Sequence, residues 1–430
     1  MNICLPKMNR KKIIQQNYLK LFGISLFVGL LSSILATLLR FITEKTEHRV
    51  FEFISFTNPY LFIVFPTIGI TLIYFLRKYA FKGRKNKGIT EIYNTLDRRK
   101  NHLPLFKIPS HFLNGFLTVI FGGSSGIEVS TVVATATIGN TVYKRNFSAK
   151  LYKRELICAA SAAGVAILFS SPLAGLLFGL EVISRKVKKT ILISCIGSTL
   201  VASIFIYVLG EGPIISNLLI DWQWKSIPFF LLISGLASLL AVGFTLLVIH
   251  IKTFFGNINN NFLRVNLGAI SVGLLIFYFP VLFGDSYHGL NEVLNTESIS
   301  IGYLFLLILL KPLASSLTLG AGGDGGVFAP SIIAGSFLGM SIAIFCNTVL
   351  GMDVSPINYA LIGAGSALSA AIYAPCTAII IICNITPNGY TLLFPLLACC
   401  IISKLLAHKI LPYNVYTYDM YKENLKKVIA

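Results

Sequence analysis

The chain has 430 residues, of which 55% are hydrophobic and only 12% charged, with a mean hydropathy of +0.76. A soluble domain is about one quarter charged, so this composition excludes a water-soluble globule. The net charge of +19, from 36 Lys and Arg against 17 Asp and Glu, would point to nucleic acid in a soluble protein, but the basic loops carry no folded recognition module and no nucleic-acid partner is expected.

Residues 1–18 are basic and polar and are expected to form a cytoplasmic N-terminal segment. The apolar run behind them is too long for a signal peptide and has no small-residue cleavage site after it. Residues 19–42 and 60–76 are predicted as a first pair of crossings, with the mildly charged 43–58 as an external turn. Further apolar stretches follow at 190–209, 227–249, 267–283, 299–319, 329–349, 359–373 and 390–406. The stretches 19–42, 227–249 and 299–319 match the roughly 20 residues that cross a bilayer. Only Lys20, Arg40 and Lys311 interrupt them. The pattern predicts an all-α polytopic membrane protein.

Basic clusters at 7–12, 77–107, 144–154 and 185–189 belong on the cytoplasmic side by the positive-inside rule. Both termini are then cytoplasmic, and anionic lipid headgroups are expected partners. Of eight cysteines, all but Cys4 lie in or beside apolar segments, where a thiol acts as a small hydrophobe. With no Cys-x-x-Cys and no Cys/His ligand spacing, neither disulfides nor a metal or other cofactor is expected.

The two halves echo each other. GGSSGIEVSTVVATATIG at 122–139 recurs, offset by 200, as GGDGGVFAPSIIAGSFLG at 322–339, with Gly122, Gly123, Gly126, Ala134 and Gly139 as identities. GVAILFSSPLAGLLFGLE at 164–181 parallels ALSAAIYAPCTAIIIICN at 367–384, with Pro172 over Pro375. Matched breaks at membrane depth are a sequence pointer to a transport site near the midplane, because half-helix N-termini there can face an anion. Glycines that merely let helices pack closely are the plainer alternative, but two matched stretches that each continue into a matched Pro break argue against it.

These residues resemble the CLC family of chloride channels and proton-coupled chloride antiporters. The stretch at 122–139 is similar to the family's filter sequence, 326–330 (GVFAP) matches its G-x-F-x-P, and 86–92 (NKGITEI) is similar to its G-S-G-I-P-E-I. SPLAGLLFGLE at 171–181 resembles the segment after the first filter helix, and Tyr416 falls at the place of the family's pore tyrosine. The resemblance implies a homodimer with one anion pathway per subunit, built from two inverted-topology halves of tilted, broken helices. The transport domain would span 19–416, with halves at about 19–209 and 227–416, followed by a cytoplasmic tail at 417–430. No regulatory domain is expected behind it.

By the same resemblance Lys87, Gly88, Ile89, Gly126, Ile127, Gly326, Val327, Phe328 and Tyr416 would surround chloride or a similar small anion, and Glu128 would be its gate. A lone carboxylate at membrane depth is costly unless it is functional. Several positions depart from the family. Lys87 replaces a serine and either reaches the inner anion site or turns to the cytoplasm as part of the basic run. Val182 stands where antiporters carry their inner glutamate, leaving Glu181 as a possible proton relay or a structural residue. Ile127, Val129, Ser130 and Thr90 also differ. The leading expectation is channel-like or weakly coupled chloride movement. A chloride/proton antiporter is the alternative, with fluoride export behind it. A polytopic enzyme would need a polar catalytic set that the sequence lacks, and Asp324 is expected to cap a helix start.

Overall fold

The computed structural model describes residues 10–84, 86–98, 100–145, 152–210, 212–215, 217, 219, 221–296 and 299–429. Cys4, Lys7 and the middle of the basic stretch at 144–154 lie outside them. The described residues are mostly helical, without strands. In the first half the helices are α1 (Arg10–Thr57), α2 (Leu61–Phe75), α3 (Ile89–Asp97), α4 (Lys107–Ile120), α5 (Glu128–Arg145), α6 (Lys153–Leu168), α7 (Pro172–Phe178) and α8 (Lys189–Leu209). The second half repeats the order with α9 (Ile227–Gly256), α10 (Asn261–Tyr278), α11 (Tyr287–Asn295), α12 (Ile301–Ala321), α13 (Phe328–Leu350), α14 (Pro356–Ile372), α15 (Pro375–Asn384) and α16 (Leu393–Ile410), before α17 (Tyr418–Ile429).

Eight helices among the described residues are long and apolar enough to cross a membrane. The protein is a multi-pass integral membrane protein. Two expectations are corrected at its first helix. Residues 43–57, expected as a turn, continue α1, and that helix already begins at Arg10. Its charges at 44–52 lie at helical spacing, with Arg40 bonded to Glu44 at 2.8 Å one turn away, so they decorate a helix end without breaking it. At about 1.5 Å per residue, the 48 residues of α1 exceed the bilayer core, so the helix is tilted or protrudes.

Where helices break, the residues explain it. Gly122 and Gly322 adopt φ of +83° and +114°, a left-handed geometry that glycine enters without a Cβ penalty, and they end α4 and α12. Pro172 and Pro375 occupy the first turns of α7 and α15, where a missing N–H costs nothing. Ser171 caps α7 by accepting from Ala174 N–H at 3.2 Å. Close packing follows small residues, as is common between membrane helices. A Cβ at Gly139 would strike the Leu156 carbonyl, joining α5 to α6, and one at Gly339 would strike the Tyr359 carbonyl, joining α13 to α14.

The two halves interlock reciprocally. Ser124 N–H donates to Thr318 Oγ1 at 3.1 Å, and 200 positions along Asp324 N–H donates to Thr118 Oγ1 at 2.9 Å. Exchanged bonds of this kind are what a two-fold relation between inverted halves produces.

Candidate functional site

Three helix N-termini converge where the halves meet. α5 opens at Glu128 and α13 at Phe328, while α3 opens at Ile89 behind Gly88. The backbone groups that a helix leaves unpaired at its start, with the positive end of its dipole, favour an anion there. Tyr416 joins them from the far end of the chain. Its hydroxyl accepts from Val327 N–H at 3.3 Å, its ring lies 6.2 Å from that of Phe328, and its carbonyl accepts from Thr90 Oγ1 at 3.0 Å. Residues from 90, 327 and 416 are thereby tied into one wall.

Two cavities flank the helix starts, the first against this wall and the second against the start of α5. One, of about 650 Å³, lies on the side of the basic loops and is lined by Lys87, Gly88, Thr90, Gly326, Val327 and Tyr416. The other, of about 960 Å³, is lined by Ile127 and Glu128 together with the end of α1. Their charges are opposed. Arg77, Lys78, Arg84, Lys87, Lys252 and Arg264 line the first, against Asp324 and Asp419. Glu44, Glu47, Glu52, Glu128, Asp285 and Glu292 line the second, against Arg40, Lys45 and two histidines.

Glu128 lines the second cavity, and its neighbour Val129 lines the first. Glu128 is only 5% exposed, and its carboxylate folds back over Gly126, so that a Cβ at 126 would overlap both oxygens. The amides of Glu128 itself and of Ala329 act on that carboxylate, while Oε2 is enclosed without a hydrogen-bond partner. A carboxylate held this way lies buried at the starts of α5 and α13.

A model of the voltage-gated chloride channel family matches residues 68–408. The chain belongs to that family. The H(+)/Cl(-) exchange transporter ClcA of Vibrio vulnificus strain YJ016 is similar at 26% identity, covering 87% of this chain and 82% of the relative. ClcA of Citrobacter koseri is 27% identical over 81% of this chain and 76% of its own length. Among solved structures, a CLC-type fluoride/proton antiporter superposes with a TM-score of 0.79 at 23% identity, covering 95% of this chain and 98% of that one. A slow cyanobacterial Cl-/H+ antiporter gives 0.81 at 20% identity, covering 94% and 97%. At that identity the structural likeness shows the CLC fold.

Within this family member the sequence-predicted residues do not all gather. Gly126, Ile127, Glu128, Gly326, Val327, Phe328 and Tyr416 gather at the helix starts, and Gly88 lines the first cavity while Ile89 behind it is buried. Lys87 is exposed at the mouth of that cavity, its backbone N–H donating to Glu91 Oε1 at 2.6 Å. Glu181 lines neither cavity. Its carboxylate accepts from Thr377 N–H at 2.8 Å, Thr377 Oγ1 at 2.7 Å and Cys376 N–H at 3.3 Å, which caps α15. Val182 is buried, and its carbonyl accepts from Tyr93 Oη at 3.0 Å.

Asp324 departs from its expected capping role. α13 begins at Phe328 with Val327 before it, whereas the Asp324 carboxylate reaches back to His111 Nδ1 at 3.0 Å and Asn86 Nδ2 at 2.7 Å. Asn86 in turn accepts from Lys107 Nζ at 3.1 Å, and Lys107 pairs with Glu91 at 2.7 Å. This network fastens the Gly-rich break to the loop before α3.

Sequence reasoning passed over Lys311. Fully buried in α12, its ammonium donates to Ser286 Oγ at 2.6 Å, Ser124 Oγ at 2.9 Å and the Gly284 carbonyl at 3.2 Å. The signal was there, since a lone cation inside an apolar span calls for a functional or structural partner.

Proposed function

We propose that the protein exchanges chloride for protons across the membrane, with Glu128 as both gate and proton carrier. The observation that carries this reading is the buried Glu128 carboxylate, at the starts of α5 and α13 beside the second cavity. When ionised it competes with an anion for the same amides. When protonated it loses its attraction to the helix N-termini and leaves the place to chloride. The curated relatives are named H(+)/Cl(-) exchange transporters, which favours exchange over the channel-like movement expected first, and chloride over fluoride.

Uncoupled chloride movement is the second reading. It is favoured by Val182 and by the engagement of Glu181 in capping α15, which together leave no carboxylate free at the inner relay position. The remaining features of the proposal are a bacterial inner-membrane location with the basic loops and both termini cytoplasmic, and a homodimer with one pathway per subunit. Glu128 lines the second cavity and its chain neighbour Val129 lines the first, within a single chain, which supports a complete pathway in each copy.

Liposome reconstitution tests the choice. An outward chloride gradient is expected to drive protons uphill, and Glu128→Gln to abolish proton movement while chloride still flows. A gradient that moves chloride but no protons through the unaltered chain would leave only uncoupled transport.

A further inference from the structure

At the second cavity, away from the wall of helix starts, Glu47 from the last turns of α1 meets Asp285 and His288 at the entrance to α11. One oxygen of each carboxylate and one imidazole nitrogen lie within 4.8 Å of one another. Each acid commits one oxygen to the local backbone. Glu47 Oε1 accepts from Asp285 N–H at 3.2 Å, and Asp285 Oδ1 accepts from Tyr287 N–H at 3.0 Å. Their second oxygens accept no hydrogen bond among the described residues. Glu47 is 6% exposed, so the pair brings like charge into a poorly hydrated place, which is costly unless a cation balances it.

The available cation does not close the balance. Lys311 acts on both carboxylates through space, yet its ammonium is bonded to three neutral oxygens. His288 is the independent second sign. Its Nε2 is enclosed and without a hydrogen-bond partner, and the ring is held 4.4 Å from the ring of Phe51. An imidazole with an unpartnered nitrogen beside two half-used carboxylates is the donor set of a divalent transition metal.

We propose that Glu47, Asp285 and His288 form a binding site for a divalent metal ion of the zinc class, placed beside the gate and controlling flux through it. One imidazole and two carboxylates suit Zn²⁺ with water as fourth ligand, at metal–ligand distances of about 2.0 to 2.2 Å. Side-chain rotation must draw the three groups together by about 1 Å to reach that geometry. The ion would add positive charge to the cavity that Glu128 and Ile127 line, holding the ionised gate or an exiting anion and slowing transport. The effect on flux rests on the function proposed above, whereas metal binding itself does not.

Binding is therefore measured apart from transport. Chelator-stripped protein in detergent, titrated with ZnCl₂ in a calorimeter, is expected to take up one ion per chain. Glu47→Gln and His288→Ala should each weaken binding by at least about tenfold, as losses at metal sites do. Zinc should also protect His288 of the unaltered chain from diethyl pyrocarbonate, read by mass spectrometry, a readout that needs no variant to fold. No heat up to millimolar zinc, undiminished binding in both variants, or unprotected His288 would each overturn the site. Zinc bound with the expected variant effects but without slowing chloride flux would overturn the control of flux while leaving the site.

Discussion

Gly126 and Gly326 meet backbone to backbone as an isolated antiparallel bridge, the two repeats touching at equivalent positions exactly one repeat apart in the chain. Ser125 reinforces the contact, its hydroxyl accepting from Gly326 N–H at 3.1 Å and lying 3.2 Å from the Gly326 carbonyl. The bridge sets α5 and α13 nose to nose. The meeting of these two helix starts is therefore a property of the junction between the halves and belongs to neither alone.

Gly126→Ala tests how the gate is seated. The added methyl would occupy the volume of the Glu128 carboxylate, so the side chain must leave its place over the helix starts. Chloride efflux from liposomes at neutral pH is expected to rise several-fold toward that of Glu128→Gln. Efflux indistinguishable from the unaltered protein would show that the carboxylate does not rest there.

Glu181→Gln separates a cap from a proton relay. The amide oxygen keeps one acceptor for Thr377 but loses the charge at the start of α15, a cost of about 0.5 to 2 kcal/mol. A lower melting temperature with an unchanged proton-to-chloride ratio is expected. Loss of proton movement with unchanged stability would make Glu181 the relay.

Lys87→Met probes the charged mouth of the first cavity. An exposed ammonium steers anions over roughly a Debye length, about 10 Å at 0.1 M salt. Chloride flux at low ionic strength should fall a few-fold, with the difference vanishing in high concentrations of an impermeant salt. A loss that persists at high salt would mean that Lys87 binds the anion directly.

Asp324→Ala should destabilise the fold more than Asp324→Asn. The alanine takes the carboxylate at 3.0 Å from buried His111 and the shorter acceptor from Asn86 Nδ2, which keeps only Ser110 Oγ at 3.1 Å, and a stranded buried donor costs about 1 to 3 kcal/mol. Asparagine retains an oxygen for one of them. Equal melting temperatures for the two variants would argue that the network linking the break to the loop before α3 carries no stability.

Much of this protein was legible in its sequence because the signals are local or repeated. Apolar runs, the positions of Lys and Arg, and the pairs Gly122/Gly322 and Pro172/Pro375 each report a requirement of bilayer or backbone that a few neighbouring residues satisfy. Glu128 stood out as the acid of a Gly-rich break. By contrast, Asp324 read as a cap because the residue it holds, His111, is over two hundred positions away, and the charges at 44–52 read as a turn because charge alone does not distinguish a loop from a protruding helix end.

Membrane residence, all-α class, internal duplication and the acid at the break were thus determined by the sequence itself, through hydropathy and spacing. Only the tertiary structure decided which side chains share a cavity. Glu47 beside Asp285, Lys311 beneath Ser124, Tyr416 against Val327 and Glu181 on the start of α15 all join residues from distant elements. Their partnership depends on how the inverted halves dock, and a burial or packing preference read along the chain carries no record of which distant group will lie opposite.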